Sequence, residues 1–320
     1  MSVGRFCRRL GIPTSTWYYW RQRARLGRPV KRWPAPVVDV VEVLAAQKKD
    51  DERFSPWGHR KIWKLIRTDG IVVSQSSVKR ALARRGLLLP VRYQAGRRAL
   101  ARARKGTFRA PAVRRNRVWQ TDFSEFETTR AGTWDISGVV DYVAKVCLTC
   151  PANATKTGPD AVNALEAAIE EAERLMGHSM QEDCIDPETG EIFPLVIVTD
   201  NGSAYKSDLF ARFILSKPWL AHIRTRYRAP QTNGVIERFY GSLKYEHLYR
   251  YEIADGITLN DEAEGYRHTY NEVRPHEHLD FETPMSVYLA PPISFEVERR
   301  LLDEHRAALE AERQGQPSPE

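Results

Sequence analysis

Phe193-Pro194-Leu195-Val196-Ile197-Val198-Thr199-Asp200-Asn201-Gly202, then a helical segment, then Gln231-Thr232-Asn233-Gly234-Val235-Ile236-Glu237-Arg238-Phe239-Tyr240-Gly241-Ser242-Leu243-Lys244-Tyr245-Glu246, is the stretch on which the reading of this chain turns. Leu195 to Val198 is a short, wholly apolar and mostly β-branched run, as expected of a strand buried on both faces of a sheet. Asp200 follows its carboxyl end, where open α/β sheets place their ligands. Asn201-Gly202 is a turn signal that stops the strand. The second piece holds good helix formers and no proline, and Asn233 is positioned as its N-cap. Helical spacing puts Glu237, Tyr240, Gly241 and Lys244 on one side of that helix. An acid at a strand end and an acid in the first turns of a helix can therefore converge, with a lysine behind the second.

A third acid lies upstream. In Trp119-Gln120-Thr121-Asp122-Phe123-Ser124-Glu125-Phe126 the residues alternate as in a strand, with Asp122 in its middle. Three carboxylates in one place repel and raise one another's pKa. A divalent cation reverses that penalty. Oxygen ligands of this hardness select Mg²⁺ or Mn²⁺ over zinc. Two such ions in a carboxylate cluster suit in-line attack at a phosphodiester.

Asp122, Asp200 and Glu237 resemble the Asp-Asp-Glu triad of the retroviral-integrase superfamily, whose core is ribonuclease H-like. The order and surroundings are most similar to transposases of the large bacterial insertion-sequence family numbered three, specifically its second reading-frame product. The resemblance runs over roughly residues 3–289. It rests on Trp57-Gly58-His59-Arg60-Lys61-Ile62, Trp119 to Phe123, Val198 to Gly202, Asn233 to Glu237, Lys244, and Tyr270-Asn271-Glu272-Val273-Arg274-Pro275-His276. One departure is a spacing of 36 residues between Asp200 and Glu237, one more than the family pattern, with Ser216-Lys217-Pro218 as the place for the extra residue.

Charge supplies the other clue. Residues 1–120 hold 30 of the 49 lysines and arginines but only 6 of the 41 acids, which leaves 19 basic and 35 acidic residues behind them. A basic front joined to an acidic back is the pattern of a nucleic-acid-binding region fused to something else. Mean hydropathy is −0.51, and no apolar run approaches the roughly 18 residues of a membrane span. Arg5, Arg8 and Arg9 are followed by no apolar segment of a secretory signal, so a cytoplasmic, nucleoid-associated bacterial protein is expected. Cys147 and Cys150 form a lone Cys-x-x-Cys inside a strand, which reads as two core thiols.

The chain divides as follows. Residues 1–30 read as a helix-turn-helix-like segment: a helix over 3–10 ended by Gly11, then a helix opened by Thr14 or Ser15 whose Trp17, Tyr18, Tyr19 and Trp20 pack while Arg21, Arg23 and Arg25 face phosphate. Arg28 to Pro36 is a linker. Residues 37–90 form a clearer helix-turn-helix. Gly58 to Asp69 is basic and amphipathic and is ended by Gly70. Ser74 caps a helix with Val78, Ala81 and Leu82 inward and Lys79, Arg80, Arg84 and Arg85 outward, closed by Gly86. The first turns of such a helix meet base edges, which nominates Gln75, Ser76, Lys79 and Arg80, with Arg84, Arg60 and Lys61 beside them. A basic helical pair that only packs is the alternative. Residues 91–117 form a basic linker; Arg92 to Arg117 has ten Lys and Arg and no acid, which suits salt-sensitive phosphate binding.

A mixed sheet with surrounding helices is expected over residues 118–290, and a charged helical tail, solvated or paired with a partner, over 291–320. His178 to Ile192 is polar and reads as an insertion or surface hairpin. Asn271 to His278, with His276 and His278, reads as a DNA-facing or packing loop rather than a metal site. The fold class is thus α+β / α/β: an all-helical helix-turn-helix region followed by a ribonuclease H-like catalytic domain.

The resemblance implies a DNA transposase that cleaves element ends and transfers strands. Two Mg²⁺ ions, or Mn²⁺ in their place, would be held by Asp122, Asp200 and Glu237. Lys244 and Arg238 would contact terminal DNA. The partners implied are double-stranded DNA (terminal inverted repeats and target), a second copy of the chain on DNA, and an upstream reading-frame product fused ahead of it. The resemblance also implies that the element's own ends join before insertion. A sequence-specific DNA-binding protein without catalysis is the alternative, and a nuclease that cuts without joining is a third.

Overall fold

The computed structural model describes residues 3, 4, 7, 14–25, 35–88, 112–224 and 234–314. Most of the expected helix over 3–10, most of the linker at 28–36, Asn233 and most of the basic segment at 92–117 lie outside the described residues.

Among the described residues, helices α1 (Thr14–Arg25), α2 (Ala35–Asp50), α3 (His59–Thr68) and α4 (Gln75–Arg84) precede the sheet. Local chemistry sets the last two. Ser74 accepts a hydrogen bond from the Ser77 N–H and so caps α4. Gly70 and Gly86 close α3 and α4 at φ +82° and +68°, a backbone that suits glycine. Ile62 and Ile66 of α3 pack on Val78, Ala81 and Leu82 of α4 and on Val41, Ala45 and Trp57, one small apolar core. The aromatics of α1 do not pack as expected: Tyr18, Tyr19 and Trp20 are exposed. Arg21 and Arg23 instead lie over the rings of Trp17 and Tyr19 at 5.1 and 5.6 Å.

The sheet has six strands: β1 (Val118–Glu127), β2 (Thr133–Asp141), β3 (Cys147–Thr149), β4 (Ala152–Asn153), β5 (Leu195–Thr199) and β6 (Leu220–Arg224). Its order is β3-β2-β1-β5-β6, with β4 paired to β2. β1, β2 and β3 run antiparallel, and β5 and β6 are parallel to β1. This is the ribonuclease H-like arrangement. One face is covered by α5 (Gly158–Met176), with α6 (Met180–Cys184) and α7 (Asp208–Leu215) packed around it. The other face is covered by α8 (Gly234–Glu246) and α9 (Gly256–His268). Then follow a π-helical turn Thr269–Val273, α10 (Pro284–Leu289) and α11 (Phe295–Gln314).

Three expectations need correction. The basic segment does not offer all its cations to phosphate: Arg114 and Arg117 are buried against Asp183 and Glu298, because the strand that follows draws them under α11. The insertion at 178–192 is not a surface hairpin alone, since Met180, Asp183 and Cys184 are fully covered. The charged tail is anchored, since Glu298 grips Arg117 with both carboxylate oxygens at 2.6 and 3.0 Å. Cys147 and Cys150 are core thiols, as expected.

Candidate active site

β1 alternates sides strictly. Trp119 and Phe123 pack towards α5, while Phe126 packs towards α8. Gln120 and Asp122 share the parity of Phe126 and so face α8. On β5, Leu195 and Ile197 pack towards α5, which turns Val196 and Val198 the opposite way, and Asp200 follows just past the strand end. The parallel register pairs Gln120 with Val198. Two residues further on stand Asp122, in the middle of β1, and Asp200, just past the end of β5 on the neighbouring strand.

α8 is fastened across this point by three contacts from β1. The Gln120 side-chain oxygen accepts from the N–H groups of Val235 and Ile236 at 2.9 and 3.2 Å, which satisfies the open first turn of the helix. One turn later the Tyr240 hydroxyl accepts from the Gly138 N–H at 2.7 Å. It lies 2.5 Å from the carbonyl of Asp122 and 2.9 Å from that of Ile136, one of which takes its proton. At the next turn Lys244 donates to the Glu125 carbonyl at 2.6 Å. Gly138 is opposite Asp122 in the β1–β2 register. A Cβ there would stand 2.9 Å from the Tyr240 oxygen and 3.2 Å from Ile236, so only glycine lets α8 lie this close.

Glu237 sits in the first turn of α8 with its side chain exposed, while Ile236 and Tyr240 turn into the sheet. The expected shared face is therefore split: Glu237, Gly241 and Lys244 follow the open side, and Tyr240 the buried one. Among the described residues no three His, Cys, Asp or Glu side chains gather closely enough to hold a metal ion.

The surroundings fix the two aspartates. Asp200 Oδ1 accepts from the Gly202 N–H at 2.8 Å, closing the turn that the Asn-Gly pair announced. Thr199 donates to the Asp200 carbonyl at 2.9 Å and lies 2.9 Å from His222 Nε2, so the neutral ring carries its proton on Nε2. Burial lowers the His222 pKa. Tyr205 lies behind both acids, 3.3 Å from Thr121 Oγ1. Burial holds its phenol well above the ordinary range, against the opposing hydrogen bond to Thr121 and with lesser help from the fields of Asp122 and Asp200.

The nominated DNA-contacting residues separate into two groups. Ser76, Lys79 and Arg80 are exposed on α4, with Gln75 half-buried. Arg84 is exposed but donates to Glu42 at 2.7 Å. Arg60 pairs with Glu277 at 2.7 Å. Lys61 is turned inward to Glu246 at 3.0 Å, over the ring of Trp57. Arg238 reaches back to the Gly234 carbonyl at 2.8 Å. Burial lowers the pKa of Lys244, with Glu125 partly offsetting it. The loop at 271–278 packs rather than projects: Asn271 is buried and makes both an N–H and a carbonyl contact with Cys147, at 2.9 and 2.8 Å.

Sequence reasoning missed Gln120, Tyr240, Gly138 and Tyr205. Gln120 had a signal, since it stands two residues before Asp122 in an alternating strand and is polar on a side that must be covered. The others had none, because their partners are over eighty residues away.

The sheet order and the helix crossing it define a ribonuclease H-like core. The family model described as "Integrase core domain" matches residues 220–284. That span includes Glu237, Arg238 and Lys244 but neither aspartate. Over 237 residues the chain is 25% identical to the transposase InsD for insertion element IS2D of Escherichia coli (strain K12), covering 71% of this chain and 72% of that one. The InsD transposase of IS2-9 from the same strain is equally similar, with 70% of its length covered. Among solved structures, the HTLV-2 integrase catalytic core domain in complex with magnesium is 18% identical, with a TM-score of 0.38 over 54% of this chain and 96% of that one. The simian T-cell lymphotropic virus intasome in complex with PP2A regulatory subunit B56 gamma is also 18% identical, with a TM-score of 0.44 over 77% of this chain and 75% of that one. The chain is a relative of insertion-sequence transposases and carries an integrase-type core.

Proposed function

We propose that this protein cuts and rejoins DNA at the ends of a mobile element, with Asp122, Asp200 and Glu237 as its reactive carboxylates. One observation carries the reading. Asp122 on β1 and Asp200 just past the end of the adjacent β5 both bear on Tyr205, and the residue two before Asp122 caps the helix that bears Glu237. All three offer hard oxygen donors, which fit Mg²⁺ or Mn²⁺. Bound there, such ions supply the Lewis acidity and activated water that phosphodiester hydrolysis needs.

The protein's own part is placement. Gln120 and Tyr240 hold α8 against β1, so Glu237 cannot drift along the strand. Gly202 holds the Asp200 carboxylate and Thr199 its backbone carbonyl. Lys244 and Arg238, on the open side of α8, are the cations nearest a bound phosphate backbone. Hydrolysis at an element end releases a 3′-hydroxyl. That hydroxyl then attacks a second phosphodiester, forming one P–O bond as another breaks, and no protein nucleophile is required. α4 reads the terminal repeat with Ser76, Lys79 and Arg80. Two ends have to be held together, which calls for at least two copies of the chain on DNA.

The test uses labelled duplex carrying the element's terminal repeat, with Mg²⁺. Wild type is expected to yield a free 3′-hydroxyl and joined products. Glu237→Gln is expected to bind the same duplex and give neither product. Binding without cleavage by both proteins would leave a DNA-binding protein without catalysis, and repeating the assay with the upstream frame fused would separate that from an enzyme missing its other part.

A further inference from the structure

The last residue of α8 is Glu246, nine residues after Glu237. At about 1.5 Å per residue the two carboxylates mark the ends of a rod about 14 Å long. Glu246 is where the front helices meet the sheet domain. Lys61 of α3 donates to its Oε1 at 3.0 Å. Arg274 grips the same carboxylate at 2.7 and 2.8 Å, and the Tyr266 hydroxyl donates to it at 3.1 Å. Arg274 also reaches Ser242 at 3.0 Å and His276 Nε2 at 3.2 Å. The side chains of Lys61 and Glu246 are each 16% exposed, and that of Arg274 11%.

Around this covered centre lie weaker contacts. Arg60 pairs with Glu277 and Lys64 with Glu282, both in the open, where salt screens them. Trp63 meets Phe281 edge-on at 5.4 Å, and Val273 packs on the front core. The outer pairs can exchange with solvent. The inner one cannot open without leaving a charge stranded in a mostly dry place.

Rigid pieces therefore run without a break from the DNA-reading surface to the candidate active site. α4 is packed on α3 through Ile62, Ile66, Val78 and Leu82. α3 is pinned to α8 through Lys61. α8 carries Glu237. We propose that the Lys61–Glu246–Arg274 junction is a ruler, which fixes the number of base pairs between the DNA read by α4 and the phosphodiester presented to Asp122, Asp200 and Glu237. The inference rests on the proposed function for its chemistry and on the junction alone for its geometry.

The test compares full-length wild type with Lys61→Glu, which sets an acid against Glu246, and Lys61→Met, which keeps the stem over Trp57 and removes the charge. Each protein is footprinted with hydroxyl radicals on the terminal-repeat duplex without added Mg²⁺, and cut positions are then mapped to the nucleotide with Mg²⁺. Wild type is expected to give one sharp outer boundary and one cut position. Lys61→Glu is expected to keep the protection over the repeat, with affinity within about twofold, while the boundary on the core side and the cuts spread over several base pairs. Lys61→Met should fall between. A single boundary and a single cut in Lys61→Glu overturns the ruler. If Lys61→Glu also loses protection over the repeat, Lys61→Met decides, and a wild-type boundary there overturns the ruler equally. If wild type protects the repeat but cuts neither alone nor with the upstream frame fused, the catalytic reading fails, and the footprint boundary still shows whether the junction holds the two parts in one register on DNA.

Discussion

Tyr240 spends one hydroxyl on two strands, and its ring lies in the core between α8 and the sheet. Removing only the oxygen in Tyr240→Phe leaves the Gly138 N–H buried without that acceptor. Such losses cost about 1–3 kcal/mol, and chemical denaturation is expected to show a drop in that range. Gly138→Ala acts on the same spot from the other side, since its Cβ would meet the Tyr240 oxygen at 2.9 Å. It should push α8 away from β1 and reduce cleavage more than repeat binding, which separate assays of the two will read. The elements that carry Asp122, Asp200 and Glu237 were legible in the sequence, because each announces itself over a few neighbours. Tyr240 was not, because in one dimension it is an aromatic residue on a helix, and its partners are more than a hundred residues away.

α3 and α4 were legible almost to their ends, because Gly70, Ser74 and Gly86 act locally. Their face could be read too: Val78, Ala81 and Leu82 are buried, and Lys79 and Arg80 exposed. Lys79→Ala and Arg80→Ala should each weaken binding to the terminal repeat. Where the cation meets a phosphate, the slope of log affinity against log salt should shrink by about one. Lys61 shows what the helix pattern could not give, since a lysine's spacing does not reveal whether it faces DNA or a carboxylate in the same chain. Burial alone would raise the pKa of Glu246, but the Arg274 fork and then Lys61 more than reverse this and hold it down to about 2, from an ordinary 4.5. Burial meanwhile brings Lys61 down to about 8. A carboxylate depressed in the folded state contributes stability above its ordinary pKa and loses it as pH falls through the window from 4.5 towards 2. The shift corresponds to about 3 kcal/mol. Urea unfolding between pH 5 and pH 3 should show wild type losing more stability than Glu246→Gln, whose side chain does not titrate there.

The division of charge between the front and back of the chain was plain from composition, and it pointed to nucleic acid. Composition could not say which cations are available. Arg114 and Arg117 belong to the basic segment in sequence but to the sheet domain in space, where they are covered by α11. Glu298→Ala should therefore destabilise the whole domain, by about 3–5 kcal/mol, because it leaves Arg117 buried with a weakened partner set. Thermal unfolding and denaturant midpoints will measure it, and Glu310→Ala, on the exposed end of α11, serves as the control.

The bond from Gln120 to the start of α8 spans 115 residues, and it bears on the order in which the chain folds. Helix nucleation is the unfavourable step, and two N–H groups at this helix start are met by a side chain from β1. In that respect α8 matures only after the first hairpin of the sheet has formed. A chain made from its amino end has β1 and β2 ready before α8 is synthesised, so growth on the ribosome and the demands of the fold run in the same direction. Refolding the whole chain from denaturant lacks that head start, and there the closing of so distant a contact should set the pace.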